Sequence, residues 1–151
     1  MNGRGTGIAE LPMPGMRIRI PGWELALAQA IEAARSRPFA WGTHDCASWV
    51  FDLRRDLTGS ADVAALWRGR YRTQRGAALV MRRLGWASLE EGARALLGAP
   101  LPSLRLAQRG DILLSADGAA LGICLGARAA FLGSEGLTFV PITDCSLAWR
   151  V

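Results

Sequence analysis

Apolar positions along this chain follow two patterns. From Trp23 to Leu97 they recur every three or four residues, and beyond Pro102 they form short runs between glycine turns. The first pattern predicts amphipathic helices and the second predicts strands. Trp23, Leu27, Ala30, Ile31 and Ala34 share one stripe of a helix over Trp23–Arg35, which Pro38 closes. A second helix follows the Trp41-Gly42 turn and runs to about Leu57, burying Cys46, Trp49, Val50 and Leu53 before Thr58-Gly59 stops it. Either Thr43 or Asp45 can cap it. Ala61–Trp67 predicts a short helix and Thr73–Leu84 an amphipathic one. Ser88–Leu97 predicts another, with Ser88 as cap and Glu91 three residues on.

Residues 110–115, 120–126, 128–132 and 137–141 read as an antiparallel meander. A last strand or short helix passes through Ala148-Trp149-Arg150. Ahead of the helices, Met16–Ile20 alternates apolar residues with arginine, as a half-buried strand does. Residues 1–15, rich in Gly and Pro, read as a flexible extension, with Met16 a candidate natural start. Helices first and strands after predict a single α+β domain over residues 16–151.

With 151 residues, half of them hydrophobic, the chain can bury one core. It has neither a membrane-length apolar run nor the order of a signal peptide, so a soluble protein made in the cytoplasm is expected. The net charge is +5, and all 18 basic residues are arginine. They are scattered, apart from a cluster at Arg68–Arg75 and a pair at Arg82 and Arg83. Without an aromatic-basic stripe, no specific nucleic-acid partner is expected. Cys46, Cys124 and Cys145 are odd in number and far apart, which argues against a disulfide framework. One histidine and no CxxC pair leave no metal site, and no cofactor is implied.

The candidate chemistry centres on Pro38-Phe39-Ala40-Trp41-Gly42-Thr43-His44-Asp45-Cys46-Ala47-Ser48-Trp49-Val50. A thiol in the first turn of a helix is placed to become a nucleophilic thiolate. Turnover then needs a base within hydrogen-bond reach. The only histidine is His44, two residues before the thiol, and helix neighbours that face each other are three or four apart. His44 is therefore either an irregularly placed base or a turn-stabilising donor. Asp45 is a cap or an orienting group, and Cys46 is a nucleophile or a relic of one. Asp111 is an acidic candidate with a structural alternative. Trp41 and Trp149 are the candidate partner contacts among six tryptophans.

These residues resemble a family. Asp45-Cys46 opening a helix, then Arg109-Gly110-Asp111-Ile112 and Leu121-Gly122-Ile123-Cys124-Leu125-Gly126 on successive strands, is similar to the NlpC-type cell-wall peptidases, compact papain-like cysteine hydrolases. The resemblance covers roughly residues 23–132. In that family a histidine opens the second strand as the base, and here Ala120 falls at that position. A third polar group to orient a base is also missing from Arg128–Leu132. The chain further resembles a branch of small NlpC-like proteins in the tail modules of phages, prophages and gene-transfer agents. Trp23, Pro38–Gly42, His44-Asp45-Cys46, Tyr71-Arg72-Thr73 and Ala148–Val151 carry that match. The resemblance implies a virion protein of the distal tail, made in the host cytoplasm, with the tail hub and neighbouring tail-tip proteins as partners. Its function would be that of a structural tail-tip component on a degenerate peptidase scaffold. The alternatives are an active peptidoglycan amidase or endopeptidase using Cys46, and a module that grips peptidoglycan without cutting it.

Overall fold

In the computed structural model, residues 18–151 are described, so the predicted extension at residues 1–15 lies outside them. Four helices precede a five-stranded antiparallel sheet: an α+β architecture. Helix α1 (Trp23–Ser36) follows Gly22 and ends before Arg37, which is extended because Pro38 disfavours a helical predecessor. Helix α2 (Cys46–Thr58) is capped by Asp45 rather than Thr43, and Gly59 closes it in the left-handed conformation. A 3₁₀ turn, Val63–Leu66, replaces the short helix expected over Ala61–Trp67.

Thr73 caps α3 (Gln74–Arg83), its hydroxyl accepting from Gly76 N–H at 3.0 Å. Ser88 caps α4 (Leu89–Leu97) by accepting from Glu91 N–H, while the Glu91 carboxylate reaches back to Ala87 N–H at 2.6 Å. That reciprocal pair is a capping box displaced by one residue.

The strands are β1 (Ile112–Ser115), β2 (Leu121–Cys124), β3 (Arg128–Gly133), β4 (Gly136–Pro141) and β5 (Cys145–Trp149), in the spatial order β4-β3-β2-β1-β5. The first four form the expected meander. The last crosses back to pair with β1, with Ile112 opposite Trp149. Side chains alternate across the sheet. Ile112, Leu114, Leu121, Ile123, Ala130, Leu132 and Trp149 face the core shared with α1 and α2. Leu113, Cys124, Ala129, Phe131, Cys145 and Ala148 form a second layer, covered by Leu101, Leu104 and Ile142. Both faces are covered, which is why β1 reads as an unbroken apolar run.

Two expectations need correction. Ile18–Ile20 form no strand; instead Ile20 N–H donates to Leu57 O, and the Arg19 guanidinium lies over the Trp23 ring at 4.3 Å. Met16 and Arg17 lie outside the described residues. Trp149 is 1% exposed and its indole N–H donates to Gly98 O at 2.9 Å, so it anchors the core and offers no surface to a partner.

Asp111, fully buried, closes this end of the fold. One carboxylate oxygen accepts from Arg19 and from Val151 N–H, at 2.8 and 3.0 Å. The other accepts from Gln108 N–H and Arg150, at 2.8 and 3.1 Å. It thus ties the segment before α1, the turn before β1 and the residues after β5. Asp111→Ala would leave two arginines and two backbone donors without their acceptor. It is expected to lower unfolding free energy by about 3–5 kcal/mol in urea denaturation.

Candidate functional site

The turn before α2 is built around Gly42, whose φ of +88° suits glycine and whose missing Cβ lets the Tyr71 carbonyl approach. Gly42 O in turn accepts from Gly69 N–H at 3.0 Å, so the turn and the loop before α3 are locked together. The Asp45 carboxylate, on a residue only 2% exposed, joins three elements. It accepts from Ser48 N–H at 2.9 Å, from Gly42 N–H at 2.8 Å and from Tyr71 O–H at 2.5 Å. Burial first, and then the bond to Asp45, push the Tyr71 phenol well above its ordinary range, so it stays a donor. One turn along, the Ser48 hydroxyl accepts from the Trp67 indole at 3.1 Å.

Cys46 is the first residue of α2, and its thiol lines a cavity of ≈ 360 Å³. The walls come from α2, α3, α4 and the turn between β1 and β2, and they are dominated by Phe51, Trp67, Met81, Leu84, Trp86 and Leu96. Trp67 stands edge-on to both Phe51 and Trp86, with ring centroids 5.6 and 6.3 Å away. Trp41, half-buried and edge-on to Phe39 at 4.9 Å, forms part of the same wall.

A helix start should favour a thiolate. Here burial outweighs it and pushes the Cys46 thiol up to about 11. Backbone N–H groups of Leu121, Ala47 and Cys46 itself pull it down, while the nearby Asp45 carboxylate pushes it further up. Leu121 N–H is free for this role because β2 pairs with β3 only from Gly122 onward. Cys46 therefore holds its proton at neutral pH, although its residue keeps some solvent access.

His44 takes no part in this cavity. Its Nδ1 is 3.1 Å from Pro38 O, and the side chain lines a separate cavity of ≈ 240 Å³ with Arg37, Trp49, Asp52 and Asp56. The reading of His44 as base for Cys46 is thereby corrected: its ring nitrogen bonds to the chain just before its own turn. Ala120 also differs from expectation in where it points. It packs on the far layer of the sheet, and the β1–β2 contribution to the cavity comes from Gly118, Ala119 and Leu121. None of these side chains can accept a proton. Among the described residues, no three His, Cys, Asp or Glu side chains gather as metal ligands.

Neither Tyr71 as a partner of Asp45 nor the aromatic cavity wall is visible in the residue pattern. Tyr71 is the only tyrosine in the chain, but nothing in an arginine-rich loop announces a contact 26 residues away. Trp67 and Trp86 carry a signal only in hindsight, as aromatics flanking an amphipathic helix.

A family model described as Domain of unknown function (DUF6950) matches residues 18–151. No curated protein and no solved structure matches the chain.

Two measurements follow from this geometry. Asp45→Ala strands three buried donors and is expected to cost about 3–5 kcal/mol in urea denaturation, against about 1–2 kcal/mol for Tyr71→Phe. Equal effects would contradict the central role of the carboxylate. Burial lowers the His44 pKa from its ordinary 6.5, so the fold favours the neutral ring. Stability should be complete above pH 6.5 and be lost as pH falls through the folded value. His44→Asn should flatten that acid limb, read from denaturation midpoints across the same pH range.

Proposed function

The chain belongs to that family, whose description assigns no chemistry, and from the site itself we propose a non-hydrolytic NlpC-type domain acting as a structural component of a phage-type tail tip. One observation carries the loss of chemistry: the Cys46 thiol looks onto an apolar wall, with the sole histidine of the chain turned into a different cavity. General acid–base help contributes about 10²–10⁴ in rate, and a nucleophile deprived of its partner loses more because such groups act as a unit. Asp45, the nearest carboxylate, already accepts three hydrogen bonds and is held as architecture.

The scaffold part of the reading is supported by chain order. A cysteine opens a helix that packs on β2 and β3, helices intervene, and the Gly110-Asp111 turn leads into the sheet. This is the arrangement that the resemblance to papain-like NlpC peptidases implies. The tail-tip part rests on the resemblance to the small tail-module branch, with the hub and neighbouring tip proteins as partners. No helix among the described residues is long and apolar enough to cross a membrane.

Zymography on purified peptidoglycan tests the chemistry. The wild-type protein is expected to give no clearing, indistinguishable from Cys46→Ala. Clearing by the wild type that disappears in Cys46→Ala would establish the hydrolase instead. Immunogold labelling of purified tailed particles tests the placement: label at the distal tail is expected, and unlabelled particles would overturn it.

A further inference from the structure

The cavity beside Cys46 is large enough to hold a ligand of its own. At ≈ 360 Å³ it falls within the roughly 300–1,000 Å³ of small-molecule sites. We propose that it binds a fatty acid of about twelve carbons, the aliphatic chain in the aromatic interior and the carboxylate on Arg75 and Arg82.

The interior selects for hydrocarbon. Asp45, Tyr71 and Trp67 line it with their polar side-chain atoms committed to bonds inside the protein. The remaining polar groups of the wall are the Cys46 thiol, the Trp41 and Trp86 indoles, the Ser88 hydroxyl, which accepts from Glu91 N–H, and the exposed Gln74. A peptide backbone or a sugar would find few replacements for its hydrogen bonds to water, at a cost that grows with each polar group left unpaired. An aliphatic chain has no such bonds to lose, and it gains contact with Phe51, Met81, Leu84 and Leu96.

The rim selects for negative charge. Arg75, Ala78 and Arg82 are spaced i, i+3 and i+7 on α3, so they lie along one stripe of the helix. Ala78 is exposed and lines the cavity, which puts an arginine one turn to either side of its edge. Both arginines are exposed, and neither is in an ion pair among the described residues. Helix α3 carries no acidic residue at all. Across the cavity, at the start of α4, the two carboxylates are occupied: Glu90 by Arg94 at 2.9 Å and Glu91 by Ala87 N–H. Two uncompensated guanidinium groups beside an apolar opening match a carboxylate head, which arginine binds through paired N–H donors.

The inference does not rest on the tail-tip reading, since it concerns binding and not cleavage or placement. Titrating the full chain with the fluorescent fatty acid 11-(dansylamino)undecanoic acid tests it, with dodecanoate as competitor. Saturable one-to-one binding reversed by dodecanoate is expected. Arg75→Glu combined with Arg82→Glu should weaken dodecanoate by roughly tenfold or more, the scale of one lost charge-assisted contact, and leave uncharged dodecanol unchanged. Ala78→Trp, at an exposed position that the fold tolerates, should block both. Absence of saturable binding by the wild type would overturn the proposal. So would equal competition by dodecyltrimethylammonium, or unchanged dodecanoate affinity in the double arginine variant with its melting curve intact.

Discussion

The buried carboxylate of Asp45 organises the site because three separate pieces of chain share it as an acceptor. The Gly42 turn, the first turn of α2 and the loop carrying Tyr71 all donate to it. A buried charge of this kind is tolerable only when its lone pairs are occupied. Gly42 must therefore be glycine, both for its positive φ and for the approach of the Tyr71 carbonyl. Once that knot is tied, the position of Cys46 is fixed as well: it opens the helix and faces the cavity. At the far end, Asp111 plays the equivalent part for the chain ends. Two buried carboxylates, one for each end of the layer between helices and sheet, set the frame in which the apolar residues pack.

The same knot explains why the thiol is quiet. The helix start and three backbone N–H groups would favour a thiolate, but apolar burial and the charge of Asp45 oppose them and prevail. An imidazolium across the cleft would reverse that balance, and the residues in that place are Ala119 and Leu121. The cleft is lined as a binding cavity would be, with aromatic and aliphatic walls around a neutral sulfur.

Much of this was legible in the sequence because it is local. Helix spacing, the cap at Ser88 and the stop at Gly59 are decided within a few residues. The absence of a second histidine was plain from composition. What the sequence hid is non-local. Periodicity says that Cys145–Trp149 can be a strand, but not that it returns to the edge of β1. Alternation says that Ala120 and Leu121 face opposite ways, but not which of them meets α2. Trp149 reads from the sequence as a candidate partner contact, whereas the crossing of the last strand buries it, its indole N–H donating to Gly98 O. Met16–Ile20 alternates like a strand, yet Arg19 is drawn off to Asp111 and Val151.

The whole character of the cavity turns on Cys46 being a neutral thiol without a proton acceptor. Ultraviolet thiolate absorbance across a pH titration measures this directly, in a variant carrying Cys124→Ala and Cys145→Ala so that Cys46 reports alone. No thiolate signal is expected until the pH approaches about 11. A transition below the ordinary thiol value of about 8.5, the mark of an activated nucleophile, would contradict it.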